Sequence, residues 1–123
     1  MVNQQTIGDR DTRLSPEDLA ALRDSLLEQR LFRQEQLRQI TTARPPAGGR
    51  RPPGSAAQAE VRGQLAASAR MVLADVEAAL DRMAEGRYGS CHLCRRPIAR
   101  ERLVIVPQAR YCARCQQVRE AGR

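Results

Sequence analysis

Four cysteines in the last third of the sequence are the residues best suited to chemistry. They form two C-x-x-C pairs, Cys91 with Cys94 and Cys112 with Cys115, and 17 residues separate the pairs. Each pair can place both sulfurs on one ion, and two pairs complete the tetrahedral four-thiolate site that zinc prefers. Because four protein ligands leave no open coordination position, the pattern predicts one structural zinc ion. Iron in a four-thiolate site is the main competitor.

Other uses of these residues are less well supported. Disulfides need an oxidising compartment, whereas the N-terminus has no apolar signal-peptide core, so a reducing, cytoplasmic location is expected. His92 lies inside the first pair and is expected at the surface, since four thiols already complete a zinc site.

The sequence offers no Ser/His/Asp set, no defensible pair of carboxylates and no phosphate-binding glycine loop. We therefore do not expect an enzyme.

The composition favours helices packed on helices. The 123 residues suffice for one small domain, but they include one Phe, two Tyr and no Trp. Aromatic side chains supply much of the buried area of most cores, so Leu, Ala, Val and Met must form this one. A thin core commonly needs a disulfide or a metal, which agrees with the predicted zinc. No run of 18 apolar residues occurs, so no membrane-spanning helix is expected.

A first helix is predicted from Ser15 to about Thr42. Ser15 can cap a free backbone N–H, Pro16 fits the first helical position, and the two acids that follow face the positive end of the helix dipole. Leucines that recur at intervals of three and four residues then form an apolar stripe. Residues 1–14 lack such a period and are expected to be a disordered tail.

A second helix is predicted over residues 56–85, with Gly86 as its left-handed C-terminal cap. Its apolar residues step by three and four positions, close to a coiled-coil heptad. This seam consists of Val61, Leu65, Ala69, Val72, Val76, Ala79 and Met83. Between the helices, residues 43–57 contain four Pro and three Gly, which forbid a continuous helix. The pattern predicts an antiparallel hairpin over residues 15–86 with its tip at 43–57.

Residues 87–123 are expected to form a separate zinc module. The run from Leu103 to Val106 is rich in β-branched residues and ends at Pro107, which indicates a small strand. Residues 112–121 regain a helical pattern. The predicted fold class is therefore mostly α, a helical hairpin followed by a small four-Cys module and a short C-terminal helix.

Positive charge is concentrated in two segments of the chain. The net charge is +7, and all 21 basic residues are Arg. Residues 87–123 hold nine Arg against two acids, and residues 43–57 hold three Arg and no acid. Such a module could bind nucleic acid by releasing phosphate counterions, and this remains an alternative function. It has only Tyr88 and Tyr111 for stacking on bases, and no obvious recognition helix.

A longer pattern of residues surrounds the cysteines. It consists of Tyr88-Gly89-x-Cys91-x-x-Cys94, Pro97-Ile98, Arg102-Leu103, Pro107, Ala109 and Cys112-x-x-Cys115-Gln116, preceded by Ala79-Leu80-x-Arg82-Met83-x-x-Gly86. This pattern resembles the DksA/TraR-type zinc finger. The close match covers roughly residues 72–119, and the hairpin upstream agrees in architecture only.

The resemblance implies a regulator of bacterial transcription that binds RNA polymerase directly and need not bind promoter DNA. In the family the coiled-coil hairpin enters the secondary channel, and the zinc module sits at the rim of the channel. The tip then acts near the active site, so Arg44, Arg50 and Arg51 are candidate partner contacts here. A hairpin that pairs with itself needs no partner helix, so a monomer is expected.

Three departures from the family pattern affect these expectations. The best-known members carry two aspartates at the tip, whereas no acid lies here between Glu35 and Glu60, so a channel-occupying paralogue without tip activity is a further alternative. Members that respond to the alarmone ppGpp have basic residues where this chain has Val106 and Gln116, which argues against such a response. Arg95 replaces a common glycine, and a left-handed backbone there would cost about 1 kcal/mol.

Overall fold

The computed structural model describes residues 13–42 and 55–122. Two long helices, α1 (Pro16–Thr42) and α2 (Ser55–Ala84), are followed by two short ones, α3 (Arg100–Ile105) and α4 (Ala113–Ala121). Within the described residues no strand forms, apart from one isolated bridge between Ser90 and Pro97. The predicted fold class is confirmed. No helix in these two ranges is long and apolar enough to cross a membrane.

The start of α1 is fixed by the residues that the sequence singled out. The Ser15 hydroxyl accepts a hydrogen bond from the Asp18 N–H at 3.0 Å. The Asp18 carboxylate accepts one from the Ser15 N–H, also at 3.0 Å. Together they form a reciprocal capping box, which satisfies two backbone donors at the helix end. The predicted cap at Ser15 is therefore confirmed.

The end of α2 is set by Gly86, whose φ is +76°. The Arg87 N–H donates to the Arg82 carbonyl at 2.8 Å, and the Gly86 N–H donates to the Met83 carbonyl at 3.2 Å. This pattern closes the last helical turn and satisfies its carbonyls. A left-handed residue is needed at this point, and glycine adopts it without steric cost. The chain then turns into the cysteine-bearing segment, as the sequence predicted.

The two long helices pack on each other along the half of the hairpin near the zinc module. Leu26 of α1 and Val76 and Ala79 of α2 are fully buried there. The predicted seam does not continue to the other half, because Val61 and Leu65 are about half exposed. Ala69, a member of the predicted seam, is buried, and so is Ala66, which the seam did not include. The seam is therefore confirmed at Ala69, Val76 and Ala79 and does not extend to Val61 and Leu65.

A second apolar cluster joins the segment after α2 to the base of α1. Its buried members are Leu22 of α1 together with Cys91, Ile98 and Leu103. Leu14 packs against the cluster from the other end of the chain, so the base of the hairpin and the cysteine segment share one core. Residues 1–12, most of the predicted tail, lie outside the described residues, as does most of the predicted tip.

The predicted strand at residues 103–106 is wrong. The Arg102 and Leu103 N–H groups both donate to the Ala99 carbonyl, at 3.0 and 3.1 Å, and residues 100–105 form helix α3. Leu103 is fully buried, whereas Ile105 is 79% exposed. A strand would place residues 103 and 105 on the same face. Burial of Leu103 against Ile98 and Leu22 thus overrides the β-propensity of the local sequence.

Candidate metal centre

The fold brings the four predicted zinc ligands together. The sulfur atoms of Cys91, Cys94, Cys112 and Cys115 all lie within 4.8 Å of one another. The sulfurs of Cys94 and Cys112 are 3.9 Å apart. A tetrahedron with Zn–S distances of about 2.3 Å has sulfur–sulfur edges of about 3.8 Å. The donor set and its spacing therefore fit one zinc ion in a closed structural site, in which these four thiolates would be the ligands.

The first cysteine pair sits on a tight loop between Gly89 and Ile98. The Cys91 N–H donates to the Arg96 carbonyl at 2.8 Å, and the Ile98 N–H donates to the Gly89 carbonyl at 2.8 Å. The Arg95 N–H returns to the Cys91 carbonyl at 3.0 Å. These bonds curl the backbone so that both sulfurs of the pair face the same point. Cys91, at 1% exposed, also anchors the loop in the apolar core.

The second cysteine pair opens helix α4. Cys112 is the N-cap residue with extended backbone angles, and its sulfur accepts a long hydrogen bond from the Cys115 N–H at 3.5 Å. The Gln116 N–H donates to the Cys112 carbonyl at 2.9 Å. A spacing of three residues across the first helical turn places both sulfurs on one side.

Hydrogen bonds between distant parts of the chain hold the two pairs in register. The His92 N–H donates to the Arg110 carbonyl at 2.8 Å, so the two loops run side by side. The Arg102 guanidinium donates to the Tyr111 carbonyl at 3.0 Å. The predicted surface position of His92 agrees with its exposed side chain, which meets Tyr111 edge-on at 6.0 Å between ring centres.

The thiols differ in their acidity. Burial raises the pKa of Cys91, but the backbone N–H groups of Cys94, Cys112 and Leu93 outweigh it and bring that pKa down to about 6. A hydrogen bond with Cys112 raises the pKa of the Cys115 thiol to about 12. The backbone donors therefore favour a thiolate at Cys91, whereas the hydrogen bond at Cys115 favours a thiol. Binding of a divalent cation to all four sulfurs must displace the protons that remain.

Arg95 has the backbone conformation that the sequence analysis identified as costly. Its φ is +67°, and it is the one non-glycine residue with positive φ in the described ranges. We expect Arg95→Gly to raise the free energy of unfolding by about 0.5–1 kcal/mol, since relief of left-handed strain exceeds the added freedom of the unfolded chain. Urea unfolding of the zinc-loaded protein measures this gain. Arg96→Gly is the control and should give none, and equal gains in both variants would refute the strain.

Tyr88 ties the end of the hairpin to the metal module. Its hydroxyl donates to the Pro107 carbonyl at 2.8 Å, and its ring packs against both apolar clusters. Burial raises the pKa of Tyr88 to about 12, so the hydroxyl remains a donor at neutral pH. Sequence reasoning named this residue as part of the family pattern and as a candidate for base stacking, but it predicted no contact with Pro107. A lone Tyr three residues before the first Cys carries no local signal for a contact 19 residues away.

We expect Tyr88→Phe to lower the free energy of unfolding by about 1 kcal/mol at pH 8, because the Pro107 carbonyl loses its donor. An acid with a raised pKa holds its proton more tightly when folded. The stability that Tyr88 contributes should therefore persist below pH 10 and fall between pH 10 and about 12. Urea unfolding at several pH values should show the gap between wild type and variant closing and then changing sign in that range, because a pKa raised from 10.0 to about 12 corresponds to more free energy than one hydrogen bond. Tyr111→Phe is the matched control, because the Tyr111 hydroxyl makes no hydrogen bond to a described residue, and it should change the free energy of unfolding at pH 8 by less than about 0.5 kcal/mol.

The arginine-rich module uses many of its cations internally. Arg100 pairs with Asp18 of α1 at 3.4 Å, and Arg110 pairs with Asp75 of α2 at 2.8 Å. Arg119 stacks over the Tyr111 ring at 4.5 Å. Part of the positive charge therefore orients the module on the hairpin. The candidate partner residues Arg44, Arg50 and Arg51 lie outside the described residues, and their role stays a prediction.

Comparison with known proteins shows that a family model matches the zinc module and that a solved structure resembles most of the chain. Residues 86–121 match the model of the prokaryotic dksA/traR C4-type zinc finger. The chain resembles the structure of transcription factor DksA2 from Pseudomonas aeruginosa with a TM-score of 0.65 and 26% identity, over 87% of this chain and 86% of that one.

A curated relative matches over a shorter stretch. An uncharacterised protein of Aquifex aeolicus (strain VF5) is 38% identical over 52 residues, which is 41% of this chain. The match spans only about a third (36%) of the length of that relative. With the four cysteines assembled at the base of a helical hairpin, residues 86–121 are similar to the dksA/traR C4-type zinc finger, their thiols fit one structural zinc ion, and the chain has a DksA-like fold.

Proposed function

We propose that this protein is a bacterial transcription regulator that binds RNA polymerase directly through its secondary channel. The observation that supports this most is the likeness to the transcription factor DksA2 along 87% of the chain, hairpin included. The zinc finger alone would fit many partners. The finger at the base of a long antiparallel hairpin fits a protein that inserts a rod and anchors it at its base.

The dimensions of the hairpin suit such a role. Helices α1 and α2 contain 27 and 30 residues, which gives lengths of about 40 and 45 Å at 1.5 Å per residue. The shared core around Leu22 and Ile98 fixes the zinc module at one end of this rod. The module would then rest at the rim of a channel while the opposite end reaches inward. The segment between Thr42 and Ser55, with Arg44, Arg50 and Arg51, is the part we propose to reach furthest.

The test is capture of purified bacterial RNA polymerase by the zinc-loaded protein at near-neutral pH. We expect saturable binding that is lost in Cys94→Ser, where the module cannot hold its metal. The matched control is Leu93→Ser, which introduces serine at an exposed residue of the same loop. If the wild type and Leu93→Ser both fail to bind polymerase, although zinc and helix content are intact in the wild type, the proposal is excluded.

The tip can be examined separately once binding is measured. Replacing Gly48 and Arg51 together by aspartate restores acids to a tip that has none, and in vitro transcription reports the effect. A changed promoter output would make the tip the working end of the protein. An unchanged output with intact polymerase binding would favour the alternative of a channel-occupying protein without tip activity.

Binding to free nucleic acid is the second candidate, because residues 87–123 carry nine Arg against two acids. The internal pairing of Arg100, Arg102 and Arg110 leaves fewer of these cations for phosphates. A salt series with duplex DNA distinguishes the two functions, since phosphate contacts give a steep loss of affinity with salt. We expect weak binding to duplex DNA, with an affinity that depends little on salt. In the transcription assay we expect no response to the alarmone.

A further inference from the structure

A cleft of about 540 Å³ opens beside the metal centre, between the C-terminal end of α2 and the first cysteine pair. Its volume lies in the range of about 300–1,000 Å³ that is usual for small-molecule sites. The polar side chains that line it are Arg82, Arg87, Ser90, His92 and Arg95. No carboxylate from the described parts of the chain lines the cleft. Its walls are therefore cationic on several sides.

Arg82 is the most unusual residue of the cleft. It is only 6% exposed, and the one hydrogen bond that it donates within the described residues is a long one, 3.5 Å to the Ala109 carbonyl. Burial, and then the charge of Arg110, lower the pKa of Arg82. A buried guanidinium without a directly bound carboxylate is costly. An anion in the cleft would offset that cost.

Two nearby acids are paired with arginines other than Arg82. Asp75 is engaged by Arg110 at 2.8 Å, and Glu85 is engaged by Arg87 in an ion pair whose side chains are both more than half exposed. Exposed pairs of this kind are weak and exchange partners easily. The four-thiolate site borders the cleft through Cys91, and with one zinc ion it would carry a net charge of −2. Neutralisation of that site is the competing explanation for the arginines, and the experiment below separates the two.

Arg95 brings a third guanidinium to the edge of the cleft. Its φ of +67° belongs to the turn of the first cysteine pair, in which the Arg95 N–H donates to the Cys91 carbonyl. That turn would accept glycine without strain, so the backbone does not require a cationic side chain here. Arg82 and Arg95 thus bring their charges to the same cavity.

We propose that this cleft binds the phosphate group of a phosphorylated small molecule. Arg82, Arg87 and Arg95 would supply the guanidinium groups, which match phosphate oxygens in a fork geometry, and Ser90 would supply a hydroxyl donor. A phosphate offers three acceptor oxygens to three arginines, whereas a carboxylate offers two. The cleft does not include Val106 or Gln116, the positions that the family pattern links to the alarmone. The proposal does not depend on polymerase binding.

The test is isothermal titration of the zinc-loaded full chain with pyrophosphate at constant ionic strength. We expect saturable binding at one site, weakened about tenfold in Arg95→Gly through loss of a charge-assisted hydrogen bond. The same variant is expected to be more stable than the wild type, so weaker binding cannot come from a damaged fold. Arg114→Ala is the control, because it removes the same charge from an exposed position outside the cleft, and it should change the affinity less than twofold.

Three results would overturn the proposal. Absence of saturable heat would mean that the arginines only balance the charge of the zinc site. Equal weakening by Arg95→Gly and Arg114→Ala would mean diffuse attraction rather than a site. A parallel titration with a short DNA duplex tests the other source of phosphate. Tighter binding of the duplex than of pyrophosphate, with a steep salt slope, would assign the cations to nucleic acid.

Discussion

Replacing Cys94 by serine is expected to unfold residues 87–119 while much of the hairpin stays helical. Zinc binding in small fingers is worth about 10–16 kcal/mol, and this energy is also the folding energy of the module. The apolar core left to the module consists of Ile98, Leu103 and the Cys91 side chain, with Leu22 from α1. A core of that size does not stabilise a segment of this length without a metal.

The hairpin keeps its own cluster, whose buried members Leu26, Val76 and Ala79 all belong to α1 and α2, although Tyr88 of the module packs against it. Helices α3 and α4 contain 6 and 9 residues, against 27 and 30 in α1 and α2, so far-ultraviolet circular dichroism should retain most of its signal. The first turns of α1 should loosen, because Leu22 loses its partners. Amide resonances of residues 87–119 should collapse to unfolded positions.

Zinc content completes this experiment. A chromophoric chelator should find one zinc per chain in the wild type and in the control Leu93→Ser, and much less in Cys94→Ser. A variant with full zinc and a folded module would show that Cys94 is not a ligand. Loss of all helix would show that the hairpin depends on the metal as well, against the boundary that we place near Gly86.

The second large effect is expected for Leu103→Ala, at about 3 kcal/mol of lost stability in the zinc-loaded protein. Leu103 is 0% exposed and packs in the cluster that joins α3 to α1, so its truncation leaves a cavity there. Ile105→Ala, two residues away, is the matched control. Its side chain is 79% exposed, and a change within about 0.5 kcal/mol is expected.

The pair of variants also tests the helix at residues 100–105. In a strand, residues 103 and 105 would share a face and lose similar stability. In helix α3 they lie on opposite sides, so only Leu103 should matter. Equal losses in urea unfolding would therefore contradict the helix, and a larger loss for Ile105→Ala would reverse its orientation.

Local signals in the sequence were sufficient for the two long helices and for the residues that begin and end them. Ser15 and Pro16 start α1, and Gly86 ends α2, because caps depend on backbone groups within four residues. The break at residues 43–57 was also predicted from local signals, because Pro and Gly disfavour a helix through their own backbone properties. The spacing of the cysteines identified the metal centre, since a C-x-x-C pair carries most of its ligand geometry in its own loop.

The tertiary structure decided what depends on residues far apart in the chain. It made α3 a helix, because Leu103 is buried against Leu22, and it left Val61 and Leu65 exposed where the heptad pattern had buried them. It also paired some arginines with residues elsewhere in the chain and placed others around the cleft at Arg82. Contacts such as Tyr88 with Pro107 give no periodic pattern in the sequence. Their energy comes from burial and hydrogen bonds that exist only once the module has folded onto the hairpin.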